Sequence, residues 1–193
     1  MMFNKVVVQA EGKAMLDEFG VAATAYQEGY YVADAVELAS SLCSLAIRTG
    51  ARVFNLMVVE DVVVRDGGRV VGLVLNWSTV SMAKLHVDPL AIRAKLVIDA
   101  TGHDCEVCRL VSDKLAGDLR TETGKVMGEG AMWAERGEIG VTENTREVYP
   151  GLVAAGMAAA AVFGSPRMGP VFGGMLLSGR KAAELAVELI RKG

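Results

Sequence analysis

A chain of 193 residues, 52% hydrophobic and only 22% charged, has the substance for one packed α/β domain with apolar interfaces. Its net charge of -3 leaves no basic footprint and argues against nucleic acid. The longest apolar run, Leu152 to Phe163, is interrupted by Gly156 and falls short of the roughly 20 residues a membrane helix needs.

Met1 to Lys5 do not read as a signal peptide. Cys43, Cys105 and Cys108 are too few for a disulfide framework, so a cytoplasmic protein is expected. Along the chain, Glu11 to Phe19 reads as a helix, with apolar Ala14, Met15 and Phe19 and a stop at Gly20. Asp34 is placed to cap a helix over Ala35 to Thr49, with Val36, Ala39, Leu42, Cys43 and Ala46 as its apolar stripe. The period then shortens. Arg52 to Val59 reads as a strand that Glu60 to Arg65 continues, and Asp66-Gly67-Gly68 turns it back into Arg69 to Asn76.

Ala94 to Asp99 predicts a short strand covered on both faces, and Asp104 a helix cap for residues up to Lys114. The polar stretch 115–148 gives little signal beyond a strand over Ala131 to Ala134. Leu152 to Ala155 predicts a buried strand, followed by a glycine-rich loop. A closing helix from Gly173 to Lys192 turns Leu176, Ala183, Leu185, Leu189 and Ile190 inward. Alternating strands and helices with an inserted hairpin layer give an α/β fold.

Two strands end in small-residue turns, Asp99-Ala100-Thr101-Gly102 and Ala154-Ala155-Gly156, where backbone amides can approach a ligand. Gly173-Gly174 leaves a helix N-terminus that no side chain of its own blocks from a phosphate. These patterns resemble flavoproteins with two dinucleotide-binding units. Two features depart from that type: Met157 stands where an acidic residue is usual, and there is no G-x-G-x-x-G.

The chain's two histidines each accompany an aspartate, in His86-Val87-Asp88 and in His103-Asp104. In an extended segment His86 and Asp88 project to one side. Imidazole with carboxylate and open positions suits Fe(II), or zinc. By spacing alone, His103 and Asp104 serve just as well as a helix cap and His86 as a hydrogen-bonded loop residue. Cys105-x-x-Cys108 lacks the second pair of a zinc site and reads as two packing thiols.

The segments MFNKVVVQ, GYYVAD, NWSTVSMAKLHVDP, DATGHD, EVYPGLVAAGMAAAAVFGSPRMGP and FGGMLLSGRKAAE together resemble the thiamine thiazole synthase family in its archaeal form, from Met2 to about Glu184. The resemblance implies an enzyme that makes an ADP-linked thiazole carboxylate from NAD and glycine, as a ring-shaped homo-octamer. Eukaryotic members carry a sacrificial sulfur-donating cysteine where this chain has His86. Free sulfide is therefore the implied sulfur source, with His86 a catalytic residue that positions sulfide or moves protons. The resemblance further implies Asp88 and His103 as iron ligands from neighbouring subunits. It implies NAD contacts at Val59, His86, Val87, Asp88 and Met157, and Arg167 as the clamp on glycine's carboxylate.

In the family, the MFNK-like segment follows a strand, a glycine-rich phosphate loop and an acidic residue that holds the ribose. The expectation is thus a single α/β domain over 1-193 of dinucleotide-binding type. Its first βαβ unit would be incomplete and one strand left with an open edge. The fold alone also admits a flavin- or NAD-dependent oxidoreductase, a sugar-bisphosphate synthase or isomerase, or a non-catalytic remnant.

Overall fold

The computed structural model describes residues 4–115 and 119–192. Met2 and Phe3 of the family-like opening, and 116–118 of the polar stretch, lie outside the described residues. The architecture is mixed α/β, with three small three-stranded sheets joined by helices.

The first sheet was not foreseen. It comprises β1 (Lys5–Gln9), β2 (Ala23–Gln27) and β3 (Tyr30–Asp34), antiparallel in the order β1-β3-β2, with α1 (Ala10–Glu18) between its first two strands. Val6, Val7 and Val8 are all buried, so β1 shows none of the alternation that marks a half-exposed strand. The segment 170–172 covers its free edge, with Val7 N–H donating to Pro170 O at 3.3 Å and Phe172 N–H to Val7 O at 2.7 Å.

Helix α2 (Ala35–Arg48) starts where expected, because the Asp34 carboxylate accepts from the amides of Val36 and Glu37. Of its expected stripe, only Leu42 packs against a core cluster. Leu38 and Leu42 pack inward, while Val36 is 59% exposed and Cys43, Leu45 and Ile47 face outward.

The second sheet comprises β4 (Met57–Val64), β5 (Val70–Trp77) and β6 (Leu90–Arg93), antiparallel in that order, with the short helix α3 (Ser78–Met82) before β6. The hairpin turns at 66–68, as its glycines predict. The expected strand start at Arg52 is wrong: pairing begins only at Met57 opposite Trp77, and 51–56 are irregular and exposed. β6 was missed because its four residues are all exposed and carry no alternation.

The third sheet contains β7 (Val97–Asp99). Helices α4 (Glu106–Lys114) and α5 (Ala134–Glu143) precede β8 (Arg146–Tyr149) and β9 (Leu152–Ala154). The sheet order is β7-β9-β8, with β7 parallel to β9. β7 is shorter than expected and not covered on both faces, since Ile98 is 41% exposed between buried Val97 and Asp99. It stands at the sheet's edge, with no further strand beside it among the described residues. Helix α5 begins where the sequence suggested a strand over Ala131 to Ala134.

Two helices complete the chain, α6 (Met157–Phe163) and α7 (Gly173–Lys192). The buried face of α7 is the small-residue row Gly174, Ser178 and Ala182. Of the residues expected inward, Leu176 and Leu189 pack against core clusters, whereas Ala183 and Ile190 are exposed.

The main core runs from Val70 at the hairpin through Val111 on α4 and Leu152 on β9 to Ala158 and Val162 on α6. The turn at Gly151 is what lets the second and third sheets meet. Its φ is 82°, and a Cβ there would stand 2.1 Å from Val70 O.

Candidate active site

The turn after β7 is built by a buried aspartate that the sequence reading passed over. Asp99 Oδ1 accepts from the Thr101 amide at 3.0 Å and hydroxyl at 2.7 Å, and Oδ2 accepts from the Cys108 amide at 2.8 Å. Thr101 Oγ1 in turn accepts from the Glu106 amide at 2.8 Å. Asp99 and Thr101 thereby satisfy the first turn of α4, the task expected of Asp104. Asp104 instead lies in a single 3-10 turn over Gly102–Asp104, which presents His103 to solvent.

The adjoining thiols, Cys105 and Cys108, are buried in the main core. Burial pushes Cys105 up to about 11, and burial, with the Asp99 carboxylate beside it, pushes Cys108 higher still. Only Cys43 is exposed. Native protein should therefore take up one alkyl group per chain rapidly from iodoacetamide, at Cys43, and two more only on unfolding. Fast labelling at Cys105 or Cys108, read by peptide mass, would show that the turn opens in solution.

Opposite this turn, the stretch 127–133 is zipped onto α6 and the loop after it. Met127 N–H donates to Val162 O at 3.1 Å, Gly128 to Ala161 O at 2.9 Å, Gly130 to Ser165 O at 3.0 Å and Trp133 to Arg167 O at 3.0 Å. This ladder delivers Glu129, which the sequence reading missed. Its Oε1 lies 2.6 Å from His103 Nδ1, and its Oε2 accepts from Arg167 Nε at 2.8 Å. Beside these residues opens a cavity of about 360 Å³ lined by His103, Arg167, Met157, Met168, Phe172 and Met175, among others. Three of the expected site residues, His103, Met157 and Arg167, are thus brought together.

The other four, Val59, His86, Val87 and Asp88, lie elsewhere. His86, Val87 and Asp88 follow α3 and line a groove of about 700 Å³ with Glu60, Asn76 and Trp77. Asn76 anchors the loop, donating from Nδ2 to Val87 O at 3.4 Å. Val59 packs against the main core, and its neighbours Val58 and Glu60 line the groove instead. Within one chain Asp88 and His103 line separate cavities, Asp88 from the loop before β6 and His103 from the turn after β7. Among the described residues, no three His, Cys, Asp or Glu side chains gather as a metal cluster.

The glycine pair at the start of α7 also has a different use from the one expected. Glu138 Oε1 accepts from the Gly174 amide at 3.1 Å, and Oε2 accepts from Gln9 Nε2 at 2.7 Å. A Cβ on Gly173 would stand 2.5 Å from that carboxylate. The helix N-terminus is taken by a protein anion, whose pKa burial raises above the ordinary range, and not by an open phosphate cradle.

A mixed α/β chain of three small sheets, carrying a His–Glu–Arg cluster beside a methionine-lined cavity, defines the class. No helix among the described residues is long and apolar enough to cross a membrane. The chain belongs to the Thi4 family, whose sequence profile matches residues 1–172. It is 59% identical over 191 residues to thiamine thiazole synthase of Methanothermobacter thermautotrophicus, covering 99% of this chain and 74% of that one. To the enzyme of the same name from Pyrococcus horikoshii it is 53% identical, over 100% of this chain and 72% of that one. The crystal structure of Thermovibrio ammonificans THI4 superposes with a TM-score of 0.93 at 51% identity, covering 98% of this chain and 74% of that chain.

Proposed function

We propose that this chain forms the ADP-linked thiazole carboxylate of thiamine from NAD, glycine and free sulfide, with Fe(II) held at a site completed between subunits of a cytoplasmic homo-octamer. Membership of the Thi4 family, at more than half identity to thiamine thiazole synthases over nearly the whole chain, makes it an enzyme of thiamine thiazole formation. The observation that carries the finer reading is the His103–Glu129–Arg167 cluster opening on the cavity beside Met157.

The donor chemistry fits iron. His103 offers an imidazole nitrogen and Asp88 a carboxylate, both exposed, a hard and borderline set with open positions. Cys105 and Cys108 are a single pair packed into the main core, without the further ligands of a structural zinc site beside them among the described residues. What Fe(II) supplies when bound is a Lewis acid able to hold sulfide beside an electrophilic carbon.

The chain's own residues then divide the remaining work. Arg167 presents the terminal edge of its guanidinium to the carboxylate of glycine, since Glu129 already occupies its Nε. Met157 and the His86–Asp88 groove take the NAD-derived part. Asp88 reaches the iron of a second copy, in keeping with the exposed Trp77, Met82, Leu85 and Val87 around it, an apolar rim suited to burial against another subunit. Dinucleotide binding by this fold belongs to the same proposal.

His86 is exposed and carries no sulfur, which supports free sulfide as the sulfur source. Thiazole formation followed by mass spectrometry should require both added sulfide and Fe(II), and should run to many turnovers. His86→Cys should instead release at most one thiazole per chain without sulfide. Sustained wild-type turnover in sulfide-free buffer would overturn this donor assignment.

A further inference from the structure

We infer that Glu129 is a positioning residue that sets the tautomer of His103 and the orientation of Arg167 at once. Its side chain is 7% exposed, although both of its partners are more than half exposed. The buried group in the cluster is therefore the carboxylate, and the two groups it holds face the solvent side. The backbone ladder from Met127 to Trp133 fixes it on both flanks, so its position does not depend on a free loop.

An ionised carboxylate only accepts hydrogen bonds. At 2.6 Å from Glu129 Oε1, the Nδ1 of a neutral His103 must carry the proton. Its Nε2 is then left as a bare lone pair, the form a metal ligand requires. The second oxygen takes Arg167 Nε at 2.8 Å, which turns the two terminal amino groups outward as a fork for a ligand's carboxylate. One buried group thus prepares an imidazole for a cation and a guanidinium for an anion. The inference rests on the proposed roles of His103 and Arg167, but its first consequence is visible without metal or substrate.

With only two histidines in the chain, long-range proton–nitrogen spectra of the metal-free protein give two ring patterns, and His86→Gln assigns them. At a pH where the imidazoles are neutral, His103 should show a protonated Nδ1 and a bare Nε2. Glu129→Ala should return it to the Nε2–H form that free histidine prefers. Glu129→Gln, whose amide oxygen still accepts, should keep much of the native pattern and covers the case in which the alanine variant does not fold. Fe(II) affinity, measured by equilibrium dialysis, should fall about 10- to 100-fold in Glu129→Ala.

A wild-type His103 protonated on Nε2, or a tautomer indifferent to Glu129→Ala, would overturn the inference. Failure of the iron reading gives a different result: His103→Ala would leave Fe(II) binding unchanged while the tautomer pattern of the wild type still held.

Discussion

Co-expressing Asp88→Ala chains with His103→Ala chains should restore about a quarter of the wild-type Fe(II) sites, whereas either variant alone should bind almost none. The expectation follows from where the structure puts the two residues. Asp88 lines the groove after α3 and His103 lines the separate cavity beyond β7. An ion needs its donors within about 2.0 to 2.3 Å, so the proposed iron site takes its second donor from another copy. In a random mixture each site draws its aspartate and its histidine independently. Each draw succeeds in roughly half of cases, which gives the quarter. Bound iron per chain, measured after gel filtration of the mixed assembly, is the readout. Mixed oligomers that form but recover no iron would show that the two residues do not share a site.

How far the sequence led can be judged residue by residue. Asp34, the glycines of the 66–68 turn and the apolar run before Gly156 each act through local chemistry, and each was legible. β1 and β6 were hidden because one is buried on both faces and the other exposed throughout, so neither alternates. The stripe of α2 misled because periodicity shows that a helix has an apolar face, not which part of it this chain covers; Val36 and Ile47 are left outside.

At the site, His86 and Asp88 line one groove, and the placement of His103 just beyond a strand end was readable from spacing. Glu129 was not, because its partners lie 26 and 38 residues away and meet it only through the 127–133 ladder. The one local trace was a lone carboxylate among Gly128, Gly130 and Ala131. Gly173 and Gly174 were misread for the opposite reason. Their lack of side chains reads as room for a phosphate, and Glu138 from α5 fills that room.

Replacing Arg167 with lysine should raise the KM for glycine by about 10- to 100-fold while leaving NAD affinity within roughly 2- to 3-fold of wild type. In the proposed site the arginine makes two kinds of contact that a lysine cannot make together. Its Nε donates to Glu129, and its terminal nitrogens remain as a planar pair matched to a carboxylate. A lysine ammonium is a single point charge and would be drawn to Glu129, leaving nothing oriented toward glycine. A charge-assisted hydrogen bond contributes about 1.5 to 3 kcal/mol, which brackets the predicted change in KM. The side chain is 56% exposed, and the bond from the Trp133 amide goes to the Arg167 backbone carbonyl, so the substitution spares the loop. The melting temperature should therefore stay close to wild type. Parallel losses in glycine and NAD binding, with a lowered melting temperature, would show instead that Arg167 holds the loop in place and does not contact substrate.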